Sequence, residues 1–232
     1  MRRRGPEPKP RTDREDVMIT KNILCYGDSN TFGRIPGKIG PGRYERSERW
    51  PGLLQDFLGE EYHVVEEGLG GRTTVINDAV EGRMSGLDYL KPCLLSHSPL
   101  DLVVFQLGTN DLKDRYAMTP IDIALGMERL VDVVNATACG RNGETPRVLI
   151  ITPPPIIDVG HVKFKMMFSQ GFSKSLELGG CFKHIAERYG NVDVMDISGQ
   201  VRPSEKDGIH FEAGEHRAIA MILAGRIKGL IG

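Results

Sequence analysis

Short apolar runs alternate with segments of helical periodicity along almost the whole sequence. Each run is short enough, and apolar enough, to form a strand that is buried on both faces. The five candidate strands are Asn22–Tyr26, Tyr62–Glu66, Leu100–Leu107, Val148–Thr152 and Val192–Ile197. Strands that alternate with helices form parallel sheets with helices on both faces. The pattern therefore predicts an α/β fold in three layers, α/β/α, around a five-stranded parallel sheet.

Apolar residues three or four positions apart mark the helices between these strands. The predicted helices are Trp50–Leu58, Leu87–Leu95, Pro120–Ala138, Phe172–Tyr189 and Glu212–Ile231. Thr119 is a suitable N-cap for the third helix, because Pro120 then falls at the first helical position, where its missing N–H costs nothing. Gly190 is a suitable residue to end the fourth helix.

The N-terminal stretch Met1–Met18 differs in composition from the rest of the chain. It contains six basic residues, four acidic residues and three prolines, and it has no apolar run. Such a segment cannot bury enough surface to order itself, and it lacks the apolar core of a secretory signal. A length of 232 residues suits one domain. We therefore predict a flexible arm over residues 1–18 and a single domain over residues 19–232.

Charge and hydropathy argue against two broad classes of protein. The 30 basic residues are matched by 31 acidic residues, for a net charge of −1. Nucleic-acid-binding and membrane-surface proteins usually carry a basic surplus. No apolar run approaches the roughly 18 residues that a membrane span requires. We therefore expect neither a nucleic acid nor a membrane as a partner.

The four cysteines are far apart and form no CxxC pair. They are Cys25, Cys93, Cys139 and Cys181. Each lies in or beside an apolar segment, where a free thiol behaves as a small hydrophobe, so we predict reduced core thiols and a cytoplasmic location. His210 and His216 lie six positions apart without a further ligand cluster, and there is no HExxH motif. The sequence thus predicts no metal and no cofactor.

Four polar blocks follow predicted strands or precede the last helix. They are Gly27-Asp28-Ser29-Asn30, Gly70-Gly71-Arg72-Thr73, Gly108-Thr109-Asn110-Asp111 and Asp207-Gly208-Ile209-His210. Functional loops of a parallel sheet gather at the carboxyl ends of its strands, so we expect these blocks to meet. A reactive serine needs a base, a histidine base needs an acidic partner, and a developing oxyanion needs N–H donors. Together the blocks contain the parts for acyl transfer.

Each block also has a structural explanation on its own. Asp28 and Ser29 could simply cap a helix, and Asn110 could do the same. The pair Gly70-Gly71 could form only a tight turn. The serine, glycine, asparagine and histidine nevertheless occur in this order, three of them at predicted strand ends. That combination favours a functional site over four unrelated turns.

The four blocks, taken in order, resemble those of the SGNH hydrolase superfamily, also called the GDSL esterases. The resemblance extends to the bacterial arylesterase/acyltransferase branch through the segments ILCYGDSNT, EEGLGGRTT, LGTNDLK, TPIDIALGM and the PPP loop. It covers nearly the whole chain after Met18. It implies a flavodoxin-like SGNH fold and a serine esterase that hydrolyses short-chain acyl or aryl esters through an acyl-enzyme. Some members of the branch transfer acyl groups to alcohols.

The resemblance implies a catalytic triad. Ser29 would be the nucleophile and His210 the general base and acid. Asp207 would be the partner of His210. Asp28 would hold the turn around the serine rather than react.

The resemblance also implies an oxyanion hole. Its donors would be the N–H groups of Ser29 and Gly71 and the side chain of Asn110. Gly71 is preferred to the adjacent Gly70 because a polar residue and a threonine commonly follow this glycine in the family. Arg72 has two open roles, either as a structural charge partner or as a group that faces the substrate.

One position departs from the pattern of the acyl-transferring relatives. Those relatives have an aromatic residue near the position of Arg34, where it helps to form a narrow apolar pocket. An arginine there argues against efficient transfer of acyl groups to alcohols. It favours a more polar substrate, such as an acetylated sugar. The alternatives are therefore an acetyl-carbohydrate esterase or an acyltransferase to alcohols. A binding module that kept the fold without the chemistry is a third alternative, against which the intact blocks argue.

The segment Ile156–Phe172, between the fourth strand and the next helix, is unusually apolar for a loop. Its apolar residues include Ile156, Ile157, Val159, Val162, Phe164, Met166, Met167 and Phe168. Exposed apolar patches mark interfaces or substrate grooves, and an extra helix packed on the core is the alternative. The arylesterase branch forms oligomers, some of them octamers, in which neighbouring subunits restrict the entrance to the site. We therefore predict a homo-oligomer with this segment at an interface beside the site.

Overall fold

The structure, a computed structural model, describes residues 20–40, 42–160 and 162–232. The predicted flexible arm over residues 1–18 lies outside this part of the chain. Within it, none of the helices combines the length and the apolar character that crossing a bilayer requires.

The described residues form a five-stranded sheet in which all neighbouring strands are parallel. The strands are β1 (Lys21–Gly27), β2 (Tyr62–Gly68), β3 (Leu102–Gln106), β4 (Arg147–Thr152) and β5 (Val192–Asp196). Their order across the sheet is β2-β1-β3-β4-β5. The predicted α/β class and parallel sheet are confirmed. Leu100 is buried but precedes β3, because its N–H donates to the carbonyl of Cys139 and not to a neighbouring strand.

The helices agree with the predicted ones to within a few residues at each end, and two short helices are additional. They are α1 (Ser29–Phe32), α2 (Trp50–Leu58), α3 (Gly86–His97), α4 (Pro120–Thr137), α5 (Val162–Met167), α6 (Gly171–Ala186) and α7 (Ala213–Ile231). Thr119 caps α4 as predicted: its hydroxyl accepts the N–H of Asp122, and the Asp122 carboxylate accepts the N–H of Thr119 at 2.9 Å.

The sheet has a hydrophobic core on each face. Because side chains alternate along a strand, β1 contributes to both cores. Leu24 and Tyr26 pack with residues of α3, α4 and α6, whereas Ile23 and Cys25 pack with residues of α2 and α7. The chain thus forms the three layers that the alternation of strands and helices predicts.

The apolar segment between β4 and α6 is divided between the core and the surface. Ile156 and Phe168 are buried and belong to the core on the α6 side of the sheet. Met166 is 76% exposed and Phe172 is 50% exposed. The segment therefore packs in part on the core and in part presents apolar side chains to solvent, and its place at an interface stays a prediction.

Candidate active site

The polar blocks converge at the carboxyl edge of the sheet. Ser29 is the first residue of α1, directly after β1, and Asn110 begins a 3₁₀ turn after β3. Gly70 and Gly71 follow β2. Together with His210, which precedes α7, these four residues line a single cleft. The fold therefore brings together all the blocks that the sequence singled out.

A very tight turn between β1 and α1 presents Ser29. A Cβ atom at Gly27 would lie 1.9 Å from Thr31 Oγ1, so only glycine fits there. The Asp28 carboxylate accepts the N–H of Asn30 at 2.9 Å and caps α1. Asp28 thus holds the turn from which the serine hydroxyl projects.

Ser29, His210 and Asp207 form a hydrogen-bonded chain, called here the candidate triad. His210 Nε2 lies 2.9 Å from Ser29 Oγ, and His210 Nδ1 lies 2.8 Å from Asp207 Oδ2. With Asp207 ionised, Nδ1 carries the ring proton, so Nε2 is the acceptor for the serine hydroxyl. A nucleophile, a base and a group that orients the base are thus in contact.

Asp207 is buried and held by three backbone N–H groups. Its carboxylate accepts from Gly37 at 2.9 Å, from Ile209 at 3.1 Å and from His210 at 2.9 Å. Burial alone would raise the pKa of Asp207, but the hydrogen bond and charge of His210, together with these N–H groups, hold it well below the ordinary 3.8. The carboxylate is therefore ionised throughout the neutral range.

The cleft also contains the three N–H donors that the resemblance implied for an oxyanion. Gly71 has φ of +80°, a conformation that favours glycine, and within the described ranges its N–H has no acceptor. Asn110 Nδ2 donates to the carbonyl of Arg72 at 3.1 Å and lies 3.4 Å from Asp28 Oδ2. The Asn110 amide is thus held in place by the loop that contains Gly71.

The sequence left two roles open for Arg72, a structural one and one facing the substrate, and its contacts are structural. Its side chain is buried, and Nη1 donates to the carbonyl of Gly27 at 2.9 Å and to the carbonyl of Glu67. The guanidinium lies 4.1 Å from the centre of the Tyr26 ring. Arg72 therefore ties the loop after β2 to the end of β1 and does not face the cleft.

Charged residues line the mouth of the cleft and are called here the charged rim; sequence reasoning singled out Arg34 among them and missed the other three. The charged rim consists of Arg34, Glu81, Arg83 and Lys113. Lys113 Nζ is almost fully buried and lies 3.1 Å from Glu81 Oε2 and 3.4 Å from Asp78 Oδ2. For those three residues the signal in the sequence was the position of Lys113, two residues after the third block.

An apolar cavity of about 290 Å³ adjoins the cleft. Phe168 and Ile209 line both spaces, and Ile156 and Phe172 are among the other residues that line the cavity. Met167 also lines the cleft. The apolar segment after β4 thus lies beside the mouth of the site.

The candidate triad and the charged rim include no grouping of metal ligands. In the part of the chain that the structure describes, the group of His, Cys, Asp or Glu side chains close enough to hold an ion is Glu67, Cys93 and His97. None of the three lines the cleft. Sequence reasoning missed this group, because the predicted helix ended at Leu95, whereas α3 extends to His97 and so carries both Cys93 and His97.

The chain is similar in sequence and fold to known proteins. A model of the GDSL-like lipase/acylhydrolase family matches residues 25–218. An aryl esterase from M. smegmatis is 39% identical, with a TM-score of 0.86 over 91% of this chain and 100% of that chain. A carbohydrate acetylesterase from Sinorhizobium meliloti is 38% identical, with the same TM-score and coverage. A search of curated protein sequences found no match.

Proposed function

The chain belongs to the GDSL-like lipase/acylhydrolase family and is a carboxylic ester hydrolase, and from this premise we propose that it hydrolyses small short-chain acyl or aryl esters through Ser29, His210 and Asp207. The observation that carries this proposal is the hydrogen-bonded chain from Ser29 Oγ through the imidazole to Asp207, with distances of 2.9 Å and 2.8 Å. Ester hydrolysis by this route needs no nucleophile from the protein other than Ser29.

In the first half of the reaction Ser29 Oγ attacks the carbonyl carbon of the ester. His210 Nε2 takes the hydroxyl proton as the new C–O bond forms, and Asp207 stabilises the resulting imidazolium. The tetrahedral intermediate then collapses. The bond to the leaving alcohol or phenol breaks, and the leaving oxygen takes the proton from Nε2, so an acyl-enzyme on Ser29 remains.

In the second half water replaces the alcohol. His210 Nε2 takes a proton from the water as its oxygen attacks the acyl carbon, and then returns that proton to Ser29 Oγ. The carboxylic acid leaves and the resting enzyme is restored. Asp207 stays ionised in both halves, because the hydrogen bond and charge of His210, together with the N–H groups around the carboxylate, keep its pKa low.

The negative charge on the carbonyl oxygen is stabilised by the N–H groups of Ser29 and Gly71 and by Asn110 Nδ2. One hydrogen of the Asn110 amide is used by the carbonyl of Arg72 at 3.1 Å, and the other has only the long contact of 3.4 Å to Asp28. That second hydrogen is available to the oxyanion. Fixed donors of this kind need no rearrangement when the charge develops.

The surroundings of the cleft support a small substrate with an apolar part. The adjoining cavity of about 290 Å³ suits a short acyl chain or an aryl ring. Ile209 lies next to His210 in sequence and lines both spaces, so the cavity begins beside the reacting groups.

An acetyl-carbohydrate esterase is the second candidate, and the charged rim favours it. Arg34, Arg83 and Glu81 can hydrogen-bond to hydroxyl groups, which an aryl ester lacks. The similar carbohydrate acetylesterase from Sinorhizobium meliloti adds weight to this candidate. Transfer of the acyl group to an alcohol is less favoured, because Arg34 does not provide an apolar pocket in which alcohol would replace water.

The exposed apolar side chains near the cleft support a homo-oligomer. Met166 and Phe172 are exposed on the same segment whose Met167 and Phe168 line the cleft. A second copy of the chain on this segment would narrow the entrance. All four cysteines are free thiols, and three are buried, which supports a reducing compartment such as the cytoplasm.

The experiment that tests the function is hydrolysis of p-nitrophenyl esters of increasing acyl length, together with phenyl acetate and acetylated sugars. We expect kcat/KM to be highest for acyl groups of a few carbons and to fall by about tenfold or more for long chains that the cavity cannot hold. The same panel with Ser29→Ala gives the background. A preference for long chains would contradict the proposal, and faster release of acetate from sugars than from phenyl acetate would favour the second candidate.

A further inference from the structure

A cluster of metal-ligating side chains lies at the end of β2, outside the active-site cleft. It consists of Glu67 in β2 and of Cys93 and His97 in α3. One ligand atom from each residue lies within 4.8 Å of the other two. We propose that Glu67, Cys93 and His97 bind a single zinc ion at a site separate from the ester-hydrolysing groups.

The elements place the three ligands together. Cys93 and His97 are four residues apart and therefore lie on the same face of α3. Cys93 is fully buried, in the core that also contains Tyr26 of β1. The Cys93 thiol and a Glu67 carboxylate oxygen are within 4.8 Å of each other, and the Tyr89 hydroxyl lies 3.4 Å from Glu67 Oε1. The carboxylate is thus already turned towards the thiol and the imidazole.

The distance between two of the ligands is close to the one that zinc requires. His97 Nε2 and Glu67 Oε1 are 3.0 Å apart. In a tetrahedral site with Zn–N and Zn–O bonds of about 2.0–2.1 Å, two such atoms are about 3.3 Å apart. The pair would need to separate by only a few tenths of an ångström to admit the ion.

One side of the cluster is open to solvent. The side chains of His97 and Glu67 are 30% and 21% exposed, whereas Cys93 is fully buried. An ion can therefore approach from the side of His97 and Glu67, and a water molecule can occupy the fourth position of a tetrahedron. Three protein ligands and one water are a common arrangement for zinc.

The ligand types select the ion. A thiolate and an imidazole favour zinc over magnesium and calcium, which prefer sites made of oxygen atoms. On binding, the Cys93 S–H bond breaks, its proton leaves to solvent, and the sulfur forms a bond to the ion. The two positive charges of zinc are then balanced by one thiolate and one carboxylate. A neutral site avoids the cost of a net charge in this partly buried position.

A simpler explanation of the same contacts is an ion pair between His97 and Glu67 beside a buried core thiol. The two explanations differ in one measurable respect. A zinc site forms a bond between the metal and the Cys93 sulfur with a stoichiometry of one, whereas an ion pair and a core thiol do not.

The test is a titration of the metal-free full chain with Co²⁺, a spectroscopic substitute for zinc, in the presence of a non-thiol reductant. We expect one Co²⁺ per chain, a thiolate-to-cobalt charge-transfer band in the near ultraviolet, and loss of that band when Zn²⁺ is added. Cys93→Ala should remove the band. His97→Ala and Glu67→Gln should each weaken binding by at least about tenfold, the loss seen even for groups that only support a ligand.

Matched controls come from α6, which carries Cys181 and His184 away from the cluster. Cys181→Ser and His184→Ala should bind Co²⁺ like the wild type. Replacing the buried Cys93 could unfold the chain. The variants His97→Ala and Glu67→Gln change partly exposed side chains and should stay folded, so they test the site independently of Cys93. No stoichiometric binding by the wild type, a band that survives Cys93→Ala, or wild-type affinity in both His97→Ala and Glu67→Gln would overturn the proposal.

A second measurement uses stability. Zn²⁺ should raise the thermal midpoint of the wild type, because an ion that binds only the folded chain stabilises it. The shift should be much smaller in His97→Ala and unchanged in His184→Ala. Equal shifts in all three proteins would contradict a site at this cluster.

Discussion

The carboxylate of Asp111 binds Thr74 through three hydrogen bonds: the Thr74 N–H donates to its two oxygens at 2.9 Å and 3.1 Å, and the hydroxyl donates at 2.5 Å. Both residues are buried. Thr74 lies three residues after Gly71 in the loop that follows β2, and Asp111 follows Asn110. The contact therefore sets the position of two proposed oxyanion donors relative to each other, although they come from different strands.

Asp111→Asn should lower turnover without unfolding the chain. An amide offers one acceptor oxygen in place of two, so the Thr74 loop is held less firmly and the oxyanion donors lose their alignment. We expect kcat to fall by roughly ten- to a hundredfold with a smaller change in KM. Steady-state kinetics measures this. Thr74→Ser, which keeps the hydroxyl donor, is the matched control and should retain most of the activity. An unchanged kcat in Asp111→Asn would show that the contact does not position the donors.

Ser29→Ala should remove nearly all esterase activity and leave a folded protein. Loss of the nucleophile typically lowers turnover by about 10⁴–10⁶-fold. Hydrolysis of p-nitrophenyl acetate measures the loss, and circular dichroism checks the fold. Ser173→Ala, at a serine on α6 away from the cleft, is the control and should be fully active. Retention of more than a few per cent of the activity in Ser29→Ala would make the assignment of the nucleophile wrong.

Asn110→Ala should act mainly on kcat. Its amide is proposed to bind the oxyanion, which exists only after Ser29 attacks. Loss of the amide should therefore weaken binding of the unreacted substrate very little. We expect a decrease of roughly 10²–10³-fold in kcat, with KM changed much less. If instead only KM rises, Asn110 binds the substrate in its ground state.

His216 should make the stability of the protein depend on pH. Its side chain is fully buried, and Nδ1 accepts the N–H of Trp50 at 3.3 Å. Burial, with the nearby charges of His210 and Arg49, lowers the pKa of His216 to about 3. Between pH values of about 3 and about 6.5 the folded state binds fewer protons than the unfolded state. The stabilising contribution of neutral His216 to the free energy of unfolding is therefore complete above about pH 6.5, and it is lost as the pH falls towards about 3.

The variant His216→Asn keeps an acceptor near Nδ1 but does not titrate. We expect the free energy of unfolding of the wild type, measured relative to this variant, to decrease by up to about 1.4 kcal/mol for each pH unit below 6.5. Urea denaturation at several pH values gives this difference. The buried carboxyls Asp28 and Asp111, whose pKa burial raises to about 6, also make stability depend on pH, but they are present in both proteins and cancel. A difference that is constant with pH would contradict the buried, neutral state of His216.

The chain should form a homo-oligomer that depends on the exposed apolar side chains near the cleft. Phe172→Glu puts a charge into the proposed interface and should shift the protein towards a monomer, since a buried unpaired charge is costly. Light scattering coupled to size exclusion measures the mass. Met221→Glu, at an exposed apolar position on α7, is the control. A wild-type mass of 25.7 kDa at micromolar concentration would rule the assembly out.

Much of the fold could be predicted because its signals are local. Period-two and continuous apolar runs mark strands, spacings of three and four mark helices, and the Thr119-Pro120 pair marks a helix start, whatever the rest of the chain does. The order of the four polar blocks then predicted which residues would meet, because the carboxyl ends of parallel strands share one edge of the sheet. The resemblance to the SGNH hydrolases implied the roles of Ser29, His210 and Asp207, and the structure places these three side chains in one hydrogen-bonded chain.

The remaining features depend on residues that meet only after the layers pack. Arg72 reads as a polar loop residue, yet it is buried because two backbone carbonyls and the Tyr26 ring surround its guanidinium. Lys113 is buried because the loop with Asp78 and Glu81 folds over it. Glu67 reaches His97 only when α3 lies against β2. Sequence periodicity specifies which face of a helix or strand is apolar. The polar partners of a buried charged side chain are set by tertiary packing, because they come from distant parts of the chain. That packing therefore defines both the charged rim of the cleft and the proposed zinc site.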